Sequence, residues 1–88
     1  MKIAGEFILR DVVGEHVLIP MGETALHFNG IISLNEVSAC IWQGLEQEKN
    51  RQELLAGILE EFEVSPEEAG ADLDEFLELL RKNQLLED

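Results

Sequence analysis

The chain has 88 residues, 45% of them hydrophobic, one cysteine and a formal net charge of -13 at pH 7. That length suits one domain over residues 1–88, whose core removes roughly 60–65% of the unfolded surface from water, and the apolar content excludes a disordered chain. The charge repels nucleic acid, whose phosphates demand Lys and Arg. The lone Cys40 excludes an internal disulfide, and no run approaches the roughly 20 apolar residues of a membrane span.

The first residues, Met1-Lys2-Ile3-Ala4-Gly5-Glu6, lack the apolar run of a signal peptide, so the expected compartment is the cytoplasm. Two apolar runs follow, Glu6 to Val12 and His16 to Pro20, and Val13-Gly14-Glu15 between them predicts a hairpin. Pro20-Met21-Gly22 breaks the second strand. Thr24 to Phe28 is a weaker strand candidate, and Asn29-Gly30 after it is a tight-turn signal. Ile31-Ile32-Ser33-Leu34 then closes a three-stranded antiparallel sheet.

From Asn35 the apolar spacing changes to three and four, and three helices are expected. The first starts with Asn35 capping Ser38, or with a Ser33/Glu36 capping box, and carries Val37, Cys40, Ile41 and Leu45 as its stripe. The second starts at Asn50-Arg51-Gln52-Glu53 and buries Leu54, Leu55, Ile58, Leu59 and Phe62. The third starts at Ser65-Pro66-Glu67-Glu68, with a Ser cap and Pro in the first helical position. Its stripe of Ala69, Leu73, Phe76, Leu77 and Leu80 runs to about Asn83, and Leu85-Leu86 folds back. Strands followed by helices of this size predict an α+β, winged helix-like domain. A small helical bundle with a hairpin arm fits the periodicity as well.

The charge is unevenly spread. Residues 1–34 carry a net of -2 and residues 35–88 a net of -11, and no base lies between Glu60 and Glu78. Such a surface keeps a small protein soluble and also attracts a basic partner.

Catalytic chemistry finds little to hold. His16 and His27 have no cysteine or carboxylate at metal-ligand spacing, so no metal and no cofactor are expected. Cys40 lies on an apolar stripe with acids around it, which suits an inert thiol. Asp72-Leu73-Asp74-Glu75 lacks the glycine of a calcium loop and sits inside a helical pattern. Ser33-Leu34 follows Ile32, which rules out the Asp-Ser-Leu attachment site of an acyl carrier. No catalytic residue is assigned.

Gly30-Ile31-Ile32-Ser33-Leu34-Asn35, followed by Ala39, Ile41 and Trp42, resembles the Leu-Asn-x-x-(small)-(small)-x-(Ile/Leu)-(Trp/Leu) signature of the PqqD family. This is the pyrroloquinoline quinone biosynthesis protein D group, also called the recognition element of ribosomally made, modified peptides. Val17-Leu18-Ile19-Pro20, Glu60-Glu61-Phe62-Glu63-Val64, Ala71 to Leu77 and Asn83-Gln84-Leu85-Leu86 have counterparts in the same order. Ser38-Ala39 departs from the pattern, since many relatives have Gly or a pair of small residues there. The resemblance implies a non-catalytic peptide chaperone. It implies that a precursor's leader peptide lies as an added strand between the third strand and the third helix. The partner implied is a modifying enzyme, often a radical S-adenosylmethionine protein.

The residues suit that role. Ile31, Ile32, Ser33 and Leu34 form a short strand with no Lys or Pro to defend its edge, open to β-augmentation. Beside the third helix's core row lies a second row of Asp72, Phe76, Leu79 and Asn83. Phe76 and Leu79 offer a grip for apolar leader side chains, and Asp72 and Glu75 for basic ones. Trp42 is assigned to the core. Two other functions stay open, a general protein-interaction subunit and a winged-helix DNA-binding regulator; the acidity of the third helix disfavours the second.

Overall fold

A computed structural model of the protein describes residues 1–28 and 30–87. A hairpin of β2 (Phe7–Val12) and β3 (Glu15–Pro20) is joined by Val13 and Gly14 alone. Both turn residues have positive φ, 51° and 79°, the mirror-image turn that matches the twist of paired strands. β4 (Ile32–Leu34) adds antiparallel to β3, so the sheet order is β2-β3-β4 with free edges on β2 and β4. β1 (Lys2–Ile3) pairs instead with β5 (Leu86–Glu87) in a separate two-stranded sheet, which ties the two ends of the chain together.

The segment from Thr24 departs from the expected strand. It forms α1 (Thr24–His27), a single helical turn, so the described residues hold four helices rather than three. Pro20 ends β3, Gly22 turns the chain at φ 57°, and Thr24 Oγ1 accepts the Glu6 N–H at 2.8 Å. The turn's own bonds, Leu26 N–H to Glu23 O at 3.0 Å and Phe28 N–H to Thr24 O at 2.9 Å, then replace a ladder. The expected Asn29-Gly30 turn falls partly outside the described residues, at Asn29. Ile31 also departs: it precedes β4, and its side chain is 59% exposed.

α2 (Glu36–Glu46) is capped by Asn35, whose Oδ1 accepts the Ser38 N–H at 2.8 Å. Its buried face is Ala39, Ile41, Trp42 and Leu45, while Val37 and Cys40 are only half-buried. The stripe is rotated from the expected one because Trp42 turns toward the sheet, edge-to-face with Phe7 at 5.6 Å. α3 (Arg51–Glu61) opens with a complete capping box between Asn50 and Glu53. It buries Leu54 and Ile58, but Leu59, expected inside, is 37% exposed. α4 (Pro66–Lys82) starts with Ser65 Oγ accepting the Glu68 N–H and Pro66 at the first position. Ala69, Leu73, Phe76, Leu77 and Leu80 bury its inner face. The helices and one face of the sheet share a core in which Leu18, Ile41, Trp42, Leu45, Ile58, Leu73, Leu77 and Leu80 are almost fully buried.

Candidate functional site

The backbone of β4 decides what its edge can offer. In a two-residue hairpin the flanking pair, Val12 and Glu15, exchanges hydrogen bonds, and the bonding direction then alternates along each strand. Glu15, Val17 and Ile19 therefore bond to β2, and the Met21 N–H donating to Glu6 O at 2.9 Å continues that series. His16 and Leu18 are left facing β4, where they pair with Leu34 and Ile32. Ile32 and Leu34 thus spend their N–H and C=O groups on the sheet. Ser33 does not; its N–H and C=O point away from β3. Pro20 has no N–H to extend this ladder, which stops at Leu18 and Ile32.

Where β4 ends, a groove of about 430 Å³ begins. One wall is Asn35, Val37 and Ser38 from the start of α2; the other is Asp72, Glu75, Phe76, Glu78, Leu79 and Lys82 of α4. Leu79 is 47% exposed, an apolar side chain at the mouth. Phe76 is buried to 5% and belongs to the core cluster, so one ring serves the core and the groove floor. Three carboxylates against one ammonium give the groove a negative rim.

Four of the expected site residues, Asp72, Glu75, Phe76 and Leu79, therefore come together. Ile31, Ile32, Ser33 and Leu34 lie on the approach rather than on the wall, and Leu34 is a core residue, 8% exposed. Asn83 is not among the groove's lining residues; it caps α4, and its Nδ2 donates to Leu79 O at 2.9 Å. Sequence reasoning missed Asn35, Val37, Ser38, Glu78 and Lys82 as groove residues. Val37 and Ser38 carried a usable signal, because the first turn of a helix has no preceding turn to cover it.

The other chemical groups are accounted for. His16 Nδ1 lies 2.9 Å from Asp11 Oδ1 across the hairpin. Burial and then the nearby Glu61 raise the Cys40 thiol above its ordinary value, with Lys49 opposing less, the opposite of the shift that activates a nucleophilic cysteine. Among the described residues no group of His, Cys, Asp and Glu could hold a metal ion, and no helix is long and apolar enough to cross a membrane.

The sequence profile of the family described as Coenzyme PQQ synthesis protein D (PqqD) matches residues 15–86. No curated protein matches the chain. Among solved structures it is similar to TbiB1 in complex with the TbiA(beta) leader peptide, at 29% identity and a TM-score of 0.75, covering 99% of this chain and 95% of that one. It is also similar in fold to lasso peptide synthetase B1 complexed with the leader peptide. There the identity is 19% and the TM-score 0.71, over 96% of this chain and 93% of the other.

Proposed function

The chain belongs to the PqqD family, and from that premise we propose that it is a non-catalytic chaperone for the leader of a ribosomally made precursor peptide. The leader adds as a strand along β4, and its side chains enter the groove between α2 and α4. The observation that carries this is the outward N–H and C=O of Ser33 at an undefended edge, directly before a groove with an apolar floor. Apolar leader side chains meet Phe76 and Leu79; basic ones meet Asp72, Glu75 and Glu78.

The whole chain acts as one domain, in the cytoplasm where precursors are made, and hands the peptide to a modifying enzyme such as a radical S-adenosylmethionine protein. The TbiB1 and lasso synthetase complexes, each with a leader peptide, support the peptide as a partner. A DNA-binding role is disfavoured by the acidic groups along α4.

Amide exchange is the test, with the leader of a precursor encoded beside this gene as the peptide. Binding slows exchange at Ser33 and leaves Ile32 and Leu34, already bonded to β3, little changed. Binding that left Ser33 exchange untouched would remove β4 as the docking edge.

A further inference from the structure

The sheet has a second open edge, and the leader does not need it. By the same alternation that turns Ser33 outward, Glu6, Ile8, Arg10 and Val12 bond to β3, which leaves Phe7, Leu9 and Asp11 with N–H and C=O groups facing away from the sheet. β2 is six residues long, against three for β4, and its register with β3 runs without a bulge. It contains neither Pro nor Lys; its charged residues, Arg10 and Asp11, are exposed and of opposite sign, and they lie at the far end of the strand from Phe7.

A cleft of about 500 Å³ lies at the start of this edge, lined in part by Phe7, Ile8, Met21 and Trp42 with Glu6 and Glu46. Trp42 adds a second observation. Among the described residues its buried Nε1–H has no hydrogen-bond partner, an unsatisfied donor of the kind that costs about 1–3 kcal/mol.

We propose that the β2 edge and the Trp42 cleft form a second docking site, which takes an extended, basic segment of another protein as an added strand. The backbone groups of Phe7, Leu9 and Asp11 require an extended occupant. Glu6 and Glu46 in the cleft, on a chain of net charge -13, favour Lys and Arg and repel a second copy of the same chain. Leader and partner then occupy opposite edges of one sheet, and neither displaces the other. The site rests on the leader-binding reading only in taking the partner to be the enzyme that receives the peptide.

The probe is acetyl-Lys-Val-Arg-Val-Lys-Val-amide, added to the isotope-labelled full chain and followed by NMR. Exchange slows at the Phe7, Leu9 and Asp11 amides, and the single indole N–H signal moves. N-methylating the peptide's bonding set of alternate amides weakens binding about tenfold or more without altering the protein, while methylating the other set does not. Ser33→Pro leaves this binding unchanged, so a failure of leader docking at β4 is separable from a failure here. No binding overturns the proposal, as does protection of Ser33 instead of β2. Shifts spread over the acidic helices without edge protection overturn it too, as does protection of the β2 amides in the free protein.

Discussion

Gly44 of α2 sits against Leu54 of α3 so closely that a Cβ on Gly44 would lie 2.5 Å from Leu54 Cδ2. Leu54 is 3% exposed and cannot swing away into solvent. Gly57, on the next turn of α3, has nothing within 4 Å of the corresponding position. The two glycines therefore respond oppositely to alanine. Gly57→Ala gains helix propensity and raises stability by about 1 kcal/mol. Gly44→Ala gains the same propensity but overpacks the helix contact, for a net loss of about 1–2 kcal/mol. Urea denaturation of both variants measures the pair; equal signs would mean that α2 and α3 do not approach at Gly44.

Proline separates the two bonding directions of β4. Ser33→Pro removes the outward donor and weakens leader binding about tenfold or more, in a domain that still folds. Ile32→Pro removes a donor to Leu18 within the sheet, leaves a carbonyl unpaired and lowers stability by about 1–3 kcal/mol. Calorimetric titration and thermal melts distinguish the outcomes. A loss of stability in Ser33→Pro equal to that in Ile32→Pro would reverse the assigned alternation.

The groove is tested by Leu79 and Phe76, about one turn apart on α4 and opposite in exposure, 47% against 5%. Leu79→Glu places a charge at the apolar mouth and abolishes leader binding, while its effect on stability stays within about 0.5 kcal/mol. Phe76→Ala opens the shared core and costs about 3–5 kcal/mol. Leader affinity unaffected by Leu79→Glu in folded protein would place the peptide elsewhere.

Arg51 holds Asp74 from α3 to α4 through two bonds, Nε to Oδ1 at 2.8 Å and Nη2 to Oδ2 at 2.9 Å. The hydrogen bond to Arg51, more than its charge, keeps the Asp74 carboxyl below its ordinary value. A carboxyl depressed in the folded state stabilises above its unfolded value of about 3.9, and the contribution fades as pH falls through the folded value. Asp74→Asn therefore melts slightly below the parent at about pH 7, and the gap closes below about pH 4. Both groups are exposed to solvent, so the gap is small. A gap that persisted unchanged at about pH 2 would assign it to packing rather than to the ion pair.

Local chemistry made the helix starts legible. Asn35, Asn50 and Ser65 each satisfy an N–H three residues on, a relationship complete within one turn and indifferent to the rest of the fold. The hairpin was legible for the same reason, since Val13-Gly14 joins strands adjacent in sequence. The second row on α4 was visible in part, because Leu79 is an apolar residue outside the core spacing.

The remaining features depend on partners distant in the chain. Thr24 to His27 becomes a helical turn because its hydroxyl is taken by Glu6, 18 residues earlier. Ala39 is buried on α2 where Val37 and Cys40 were expected, and Trp42, assigned to the core from sequence, finds Phe7 of β2 as its edge-to-face partner. Asn83 is spent on capping α4, and Lys2-Ile3 finds Leu86-Glu87 only when the ends meet. Periodicity reports that a face is buried but not against what. The sequence by itself determined the hairpin, the three long helices, their caps and the acidic surface. Tertiary pairing decided which backbone groups stay unpaired, because the direction of each N–H follows from the register between strands.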